Sequence, residues 1–302
     1  MKYFIITVDT EGDNLWEHKE GEEIKTRNAE FIPRFQHLCQ KYGFKPVYLT
    51  NYEMANSQFF VERAKVWAEH GDCEIGVHLH AWNNPPIVPL EGPFHGNAYL
   101  IEYDDETMRA KFNVLYNLIK SNFGVTPVSH RAGRWAMDDR YFRLLKTYGI
   151  KVDCSYTPGV NWDLSKGVTR GGSDYTNKSH QAQWIDGVLE IPATLRRFRN
   201  CYNGTLKHKV KSILKGEDVW LRPAMSSYSG MKRVLDIVGK EEDVDFVEFM
   251  IHSSELMPEG SPYFKTENDV EHEYQVMERF FNYAVKCGYR GVTLSEYYEM
   301  QS

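Results

Sequence analysis

The sequence predicts an α/β fold, a largely parallel sheet of about eight strands with helices packed outside it. Three observations carry this reading. Apolar runs of strand length alternate with stretches of helical spacing along the whole 302-residue chain. Several helical stretches stop at a glycine, at Gly43, Gly71, Gly124 and Gly149, with the next strand close behind. A strand, a helix and a second strand in succession favour parallel pairing with the helix on one face. No internal repeat and no linker interrupts the pattern, so residues 1–302 are expected to form a single domain.

Each element follows from local pattern. Residues 3–9 are apolar enough for a buried strand, and 28–42 place Ile32, Phe35, Leu38 and Tyr42 on one face of a helix. Residues 46–50 read as a strand and 58–70 as a helix. In the strand 73–80, Ile75, Val77 and Leu79 alternate with Gly76, His78 and His80, so two imidazoles project side by side from one face. A Pro-rich loop covers 83–93. Asp104 and Asp105 open a long helix with Met108, Phe112, Leu115 and Ile119 at helical spacing. A strand at 127–131, a helix at 138–148 and a strand at 150–156 follow. Residues 158–183 are rich in Gly, Ser and Asn, without period; a loop of that length is uncommon unless it forms part of a site. Strands at 188–194 and 218–222, a helix at 231–242, a strand at 245–252, a helix at 268–286 and a short strand at 291–294 before a terminal helical turn complete the order.

Composition excludes several classes. The chain is 26% charged, and no apolar run approaches the ~20 residues of a membrane-spanning helix. The start, MKYFIITVDTEGD, runs into Asp9 and Glu11 with no small-residue cleavage site, so it reads as a first strand and a cytoplasmic location is expected. The five cysteines, Cys39, Cys73, Cys154, Cys201 and Cys287, form no CxxC; they are expected as buried thiols in a reducing compartment. With net charge −6, a nucleic-acid partner is not expected. The clusters Arg196-Arg197-Phe198-Arg199 and Lys207-His208-Lys209 read as solvated faces. No Gly-x-Gly-x-x-Gly or P-loop follows any strand.

In parallel α/β folds the site forms at the C-terminal ends of strands. Four strands here end in chemistry-bearing residues. The first ends in Asp9-Thr10-Glu11-Gly12-Asp13, the second in His78 and His80, the third in His130-Arg131, and the last in His252-Ser253-Ser254-Glu255. A carboxylate with two histidines can hold a catalytic metal and leave positions open for water and substrate. A further carboxylate could take a proton from that water, and a third histidine could return one to a leaving group. His130 points opposite to Arg131 and is read as structural. Trp16, Trp82, Trp135, Trp162 and Trp184 fall in or near loops over the same face, about two of them being expected to touch substrate.

Taken in order, the motifs TVDTEGD, GVHLHAW, SHRAGRW and FMIHSSEL resemble those of the metal-dependent polysaccharide deacetylases, the carbohydrate esterase family four superfamily. The segment Leu189-Glu190-Ile191-Pro192 resembles a strand usual there. The resemblance implies an irregular (β/α) barrel of about seven to eight parallel strands with outer helices. It implies Asp9 as general base, Arg131 as its partner, His252 as general acid, Glu11, His78 and His80 as metal ligands, and Trp135 as a pocket wall; of the other loop tryptophans, Trp82 is the one expected to touch substrate. The cofactor would be a divalent metal, zinc first. The reaction would remove an N-acyl group, acetyl above all, from an amino sugar or glycan precursor for surface polysaccharide. A deformylase or small-amide hydrolase, or a silent glycan-binding protein, are the alternatives on this scaffold. The chain departs from the family at two places. Thr10 separates the first two acids, leaving Asp13 as a competitor to Glu11. The family's histidines stand four apart, a spacing that puts Trp82 at the second position, so His80 must take that role.

Overall fold

A computed structural model describes residues 1–18, 22–199 and 216–301. Cys201 and the Lys207-His208-Lys209 cluster lie outside the described residues.

The strands are β1 (Lys2–Thr10), β2 (Pro46–Thr50), β3 (Glu74–Leu79), β4 (Ser129–Ala132), β5 (Val152–Asp153), β6 (Gln183–Ile185), β7 (Val188–Glu190), β8 (Leu195–Phe198), β9 (Glu217–Trp220), β10 (Phe246–His252) and β11 (Tyr289–Gly291). The helices are α1 (Ile32–Lys41), α2 (Tyr52–Ala55), α3 (Gln58–Glu69), α4 (Asp105–Phe123), α5 (Asp139–Thr147), α6 (Tyr228–Val238), α7 (Glu267–Lys286) and α8 (Leu294–Gln301). The main sheet runs β10-β1-β2-β3-β4-β5-β7-β6, with β11 also on β1. Every pairing in it is parallel except β6 with β7.

The sheet curls, and single backbone bonds bridge its two ends. Ala193 N donates to Tyr156 O at 2.8 Å, Leu221 N to Thr194 O at 3.1 Å, and Met250 N of β10 to Leu221 O at 3.0 Å. The β8–β9 ribbon therefore stands in the gap between β7 and β10, and the architecture is an irregular (β/α) barrel. One apolar cluster extends from Phe4 to Tyr297 and packs the helices on the outside of the sheet. The other face is polar: Arg131 Nη2 reaches from β4 to Thr7 Oγ1 on β1 at 2.8 Å.

Elements and sequence pattern agree closely, with instructive differences. The helix expected from residue 28 begins as a 3-10 turn, Arg27–Phe31, and turns α only at Ile32. Pro33 has no N–H to give to Ala29, which breaks the hydrogen-bond ladder there. The strand expected over 150–156 is reduced to β5. Cys154 N still reaches His130 O at 3.0 Å, but beyond it the backbone donors go to buried carboxylates, Ser155 N to Asp153 Oδ2 and Tyr156 N to Glu190 Oε1. β6 was not expected. Asp186-Gly187, at φ 50° and 85°, forms the two-residue turn joining it to β7, as Asp-Gly favours between short strands.

In the Arg196–Arg199 cluster Arg197 and Arg199 are exposed, as expected of a solvated face, and only Arg196 departs from it. Arg196 and Arg197 lie on β8, and the Arg196 side chain is only 13% exposed, ion-paired to Glu241. Cys39, Cys73 and Cys154 are buried, but Cys287 is exposed. Among the described residues no helix is long and apolar enough to cross a membrane.

Candidate active site

β1, β3, β4 and β10 run parallel and end on the same rim of the sheet, with β2 between β1 and β3. The register pairs Asp9 with His252 and His78 with Arg131, so four strands deliver their terminal side chains to one place. Asp9, Glu11 and His78 are buried there, and His80 and His252 are largely so.

Glu11 Oε2 lies 2.8 Å from His80 Nε2 and 3.6 Å from His78 Nε2, and the two Nε2 atoms are 3.1 Å apart. These three side chains can each offer one atom to a shared ion. Ligands at about 2.0–2.1 Å from a tetrahedral cation are themselves about 3.3 Å apart, so the spacing fits. The tautomer fits as well. His78 Nδ1 faces the Arg131 carbonyl oxygen at 3.0 Å, and a carbonyl only accepts. Nδ1 therefore carries the proton and Nε2 turns its lone pair into the site, the arrangement usual for metal-binding histidines. His80 is also held in place. A Cβ on Gly133 would lie 2.4 Å from Leu79 O and 3.0 Å from His80 Nδ1, so only glycine lets β4 pass this close.

Electrostatics favour the ionised form of both acids. Burial works against ionisation of Asp9, but Arg131, His78 and His252 outweigh it and hold its pKa below the ordinary value. Arg131 Nη1 donates to Asp9 Oδ1 at 2.6 Å, leaving Oδ2 toward His78 at 3.9 Å and His252 at 3.7 Å. Glu11 is likewise buried, yet His252, His78 and His80 pull its pKa well below the usual range. For His78, burial is overcome by Asp9 and Glu11 and the pKa rises; for His80, burial prevails and it falls. Two imidazoles facing each other cannot both hold a proton between them, which suits a site for a cation.

The remaining expectations are placed as follows. Asp13 is not in the cluster. Its carboxylate accepts from Arg27 N at 3.2 Å and Asn28 N at 2.9 Å, tying down the start of the 3-10 turn. His252 Nε2 is 3.6 Å from Glu11 Oε1, and its Nδ1 is 3.6 Å from Glu255 Oε1. His130 sits on the opposite side, between Asp153 at 2.6 Å and Tyr141 at 2.7 Å. A cavity of about 460 Å³ opens over the cluster, and Trp16, Trp82, Trp135 and Trp162 line it. Trp184 does not; it packs against Tyr298 elsewhere.

Sequence reasoning missed the residues behind the site. Glu248 and Thr7 share Arg131 with Asp9, and Arg222 pairs with Glu255. A signal existed for Glu248: it interrupts an apolar strand in phase with His252. Arg222 had none, since its partner lies far away in sequence. Arg134 also lines the cavity; it stands inside the motif SHRAGRW, where no strand periodicity aims its side chain at the site.

No protein-family model and no curated protein matches the chain. Solved structures do share its fold. A Mycobacterium smegmatis protein assigned as a polysaccharide deacetylase superposes with TM-score 0.54 at 14% identity, over 99% of this chain and 90% of that one. A GH57-type branching enzyme from the hyperthermophilic archaeon Pyrococcus horikoshii gives 0.53 at 8% identity, over 100% and 70%. A 4-alpha-glucanotransferase from Thermococcus litoralis gives 0.52 at 9% identity, over 100% of this chain and 38% of its own length. The fold is thus common to a protein assigned to deacetylation and to enzymes of glucan transfer and branching. Side chains, not the scaffold, must decide the reaction.

Proposed function

We propose that this chain, acting as one catalytic domain, is a metal-dependent hydrolase that removes an N-acyl group, acetyl first, from an amino sugar or glycan precursor. The observation carrying this reading is the convergence of Glu11, His78 and His80 on one point, with Asp9 and His252 each within 4 Å of a member of that triad. A divalent metal held by those three residues, zinc by the nitrogen-rich donor set, would supply Lewis-acid polarisation of the acyl carbonyl and a more acidic water.

The protein's own groups do the rest. Arg131 occupies one oxygen of Asp9 and keeps it ionised, so the other is free to take a proton from the attacking water. The water oxygen bonds to the acyl carbon and the carbon–nitrogen bond breaks. His252, on the opposite strand of the register, delivers a proton to the departing nitrogen. The products are a carboxylic acid and a free amine. The four tryptophans give flat apolar walls suited to sugar faces, and Trp162 and Ser165 bring the long loop into the cavity. The assignment of the M. smegmatis protein of the same fold agrees with this reading.

Asp9→Asn keeps the shape of the side chain and removes the base. Turnover of N-acetylated amino sugars should fall by about 10²–10⁴-fold while metal content stays at wild-type level. Unchanged turnover would remove Asp9 from the mechanism.

A further inference from the structure

Three guanidinium groups stand at or behind the cavity, and two are matched by carboxylates. Arg131 pairs with Asp9 and Glu248, and Arg222 pairs with Glu255. Among the described residues Arg134 has no ion pair. Its side chain donates to Asn97 O, to Ser165 Oγ at 2.9 Å and to Lys166 O at 3.0 Å, and its guanidinium lies 4.1 Å from the centre of the Tyr99 ring. All four partners are neutral. The field of Glu102 reaches Arg134, but that carboxylate is taken by Tyr99 N at 2.6 Å, Val168 N at 2.9 Å, Thr169 Oγ1 at 2.8 Å and Arg170 N at 3.2 Å. The partial burial of Arg134 makes its lone charge costlier than it would be in water.

The backbone at this place is also unusual. Arg134 and Trp135 are consecutive non-glycine residues in the left-handed region, at φ 55° and 63°. Such a conformation persists only where the surroundings impose it. Here the Tyr175 hydroxyl donates to the Trp135 carbonyl, and Met137 N donates to Ser173 Oγ at 3.0 Å. The strained pair aims both side chains into the cavity wall. A regular continuation of β4 would send successive side chains to opposite faces.

We infer that the substrate carries an anionic group, a carboxylate or a phosphate, and that Arg134 binds it through the guanidinium N–H groups its neutral partners leave free. This rests on the cavity being the substrate site and adds to that reading the charge of the substrate. Arginine is suited to the task because its planar fork matches both anions and it stays charged.

Binding to the whole chain can be followed by quenching of the cavity tryptophans. Three probes serve: neutral N-acetylglucosamine, its 6-phosphate, and the carboxylate-bearing N-acetylmuramic acid. At least one anionic probe should bind about tenfold more tightly than N-acetylglucosamine, the worth of one charge-assisted hydrogen bond. Added salt should narrow the gap in the wild type, Arg134→Gln should close it, and Arg134→Lys should keep part of it. The probe that shows the gap tells phosphate from carboxylate. Equal binding of all three probes by the wild type, including no detectable binding of any, overturns the inference without recourse to a variant. A gap that survives Arg134→Gln also overturns it. Hydrolysis of N-acetylglucosamine without a gap rejects the anion site and keeps the hydrolase. A gap that Arg134→Gln closes, with no probe hydrolysed after metal addition, keeps the anion site and rejects the hydrolase.

Discussion

At the scale of single residues, the first acidic motif shows how one backbone turn assigns different roles. Asp9 and Glu11 face the imidazoles, whereas Asp13, past Gly12, caps the 3-10 turn through two backbone N–H groups. Asp13→Ala should therefore cost about 1 kcal/mol of stability and leave metal affinity unchanged; thermal melting with a parallel metal titration checks both halves. A loss of metal in that variant would reinstate Asp13 as a ligand. Alternation by two made His78 and His80 legible as a pair, and Asp9 with Glu11 as another. It did not choose between Glu11 and Asp13, because the direction of a turn after glycine is not a property of periodicity. Nor could it show Arg134, whose side chain enters the cavity only through a left-handed backbone.

At the scale of elements, strand order decides which motifs meet. β1 lies between β10 and β2, and β3 lies between β2 and β4, so residues more than 240 positions apart become neighbours. The alternation of strand and helix made the parallel sheet legible, and the C-terminal ends of its strands pointed to the right side of the molecule. What stayed hidden were features set by competition for backbone hydrogen bonds. β5 is short because buried Asp153 and Glu190 take the donors that a longer ladder would use. The tightest joint in the site is Gly133 against the end of β3. Gly133→Ala would press a methyl group onto the Leu79 carbonyl, a backbone atom that cannot swing aside. Destabilisation of about 1–3 kcal/mol is expected, with weaker metal binding through displaced His80. Denaturant unfolding together with a zinc titration tests this, and a variant as stable as wild type would show that β4 can move away.

At the scale of the whole molecule, the barrel is joined through β8, β9 and β10 by few backbone bonds and by buried charge. Glu255 is buried at the end of β10, but the Arg222 guanidinium and His252 bring its pKa down to about 2. An acid whose folded pKa is depressed contributes stability above its ordinary value, and that contribution is lost as pH falls through the folded value. The Glu255 share should thus be complete above about pH 4.5 and disappear toward pH 2. Asp9 and Glu11, shifted in the same direction, add to this acid sensitivity. Arg222→Met leaves a buried carboxylate without its partner and should cost about 3–5 kcal/mol near neutral pH. The difference from wild type should shrink as the pH is lowered, which unfolding curves at pH 7 and pH 3 can read. This joint was not legible in the sequence, where Arg222 follows an ordinary strand and meets Glu255 only through the closure of the barrel.

The most direct measurement is a calorimetric titration of chelator-treated protein with zinc, repeated on His78→Ala and His80→Ala. One ion per chain is expected for the wild type, with affinity weakened by about 100-fold or more in each variant. No ion bound by the wild type, or equal binding by all three proteins, would contradict a metal centre built from Glu11, His78 and His80.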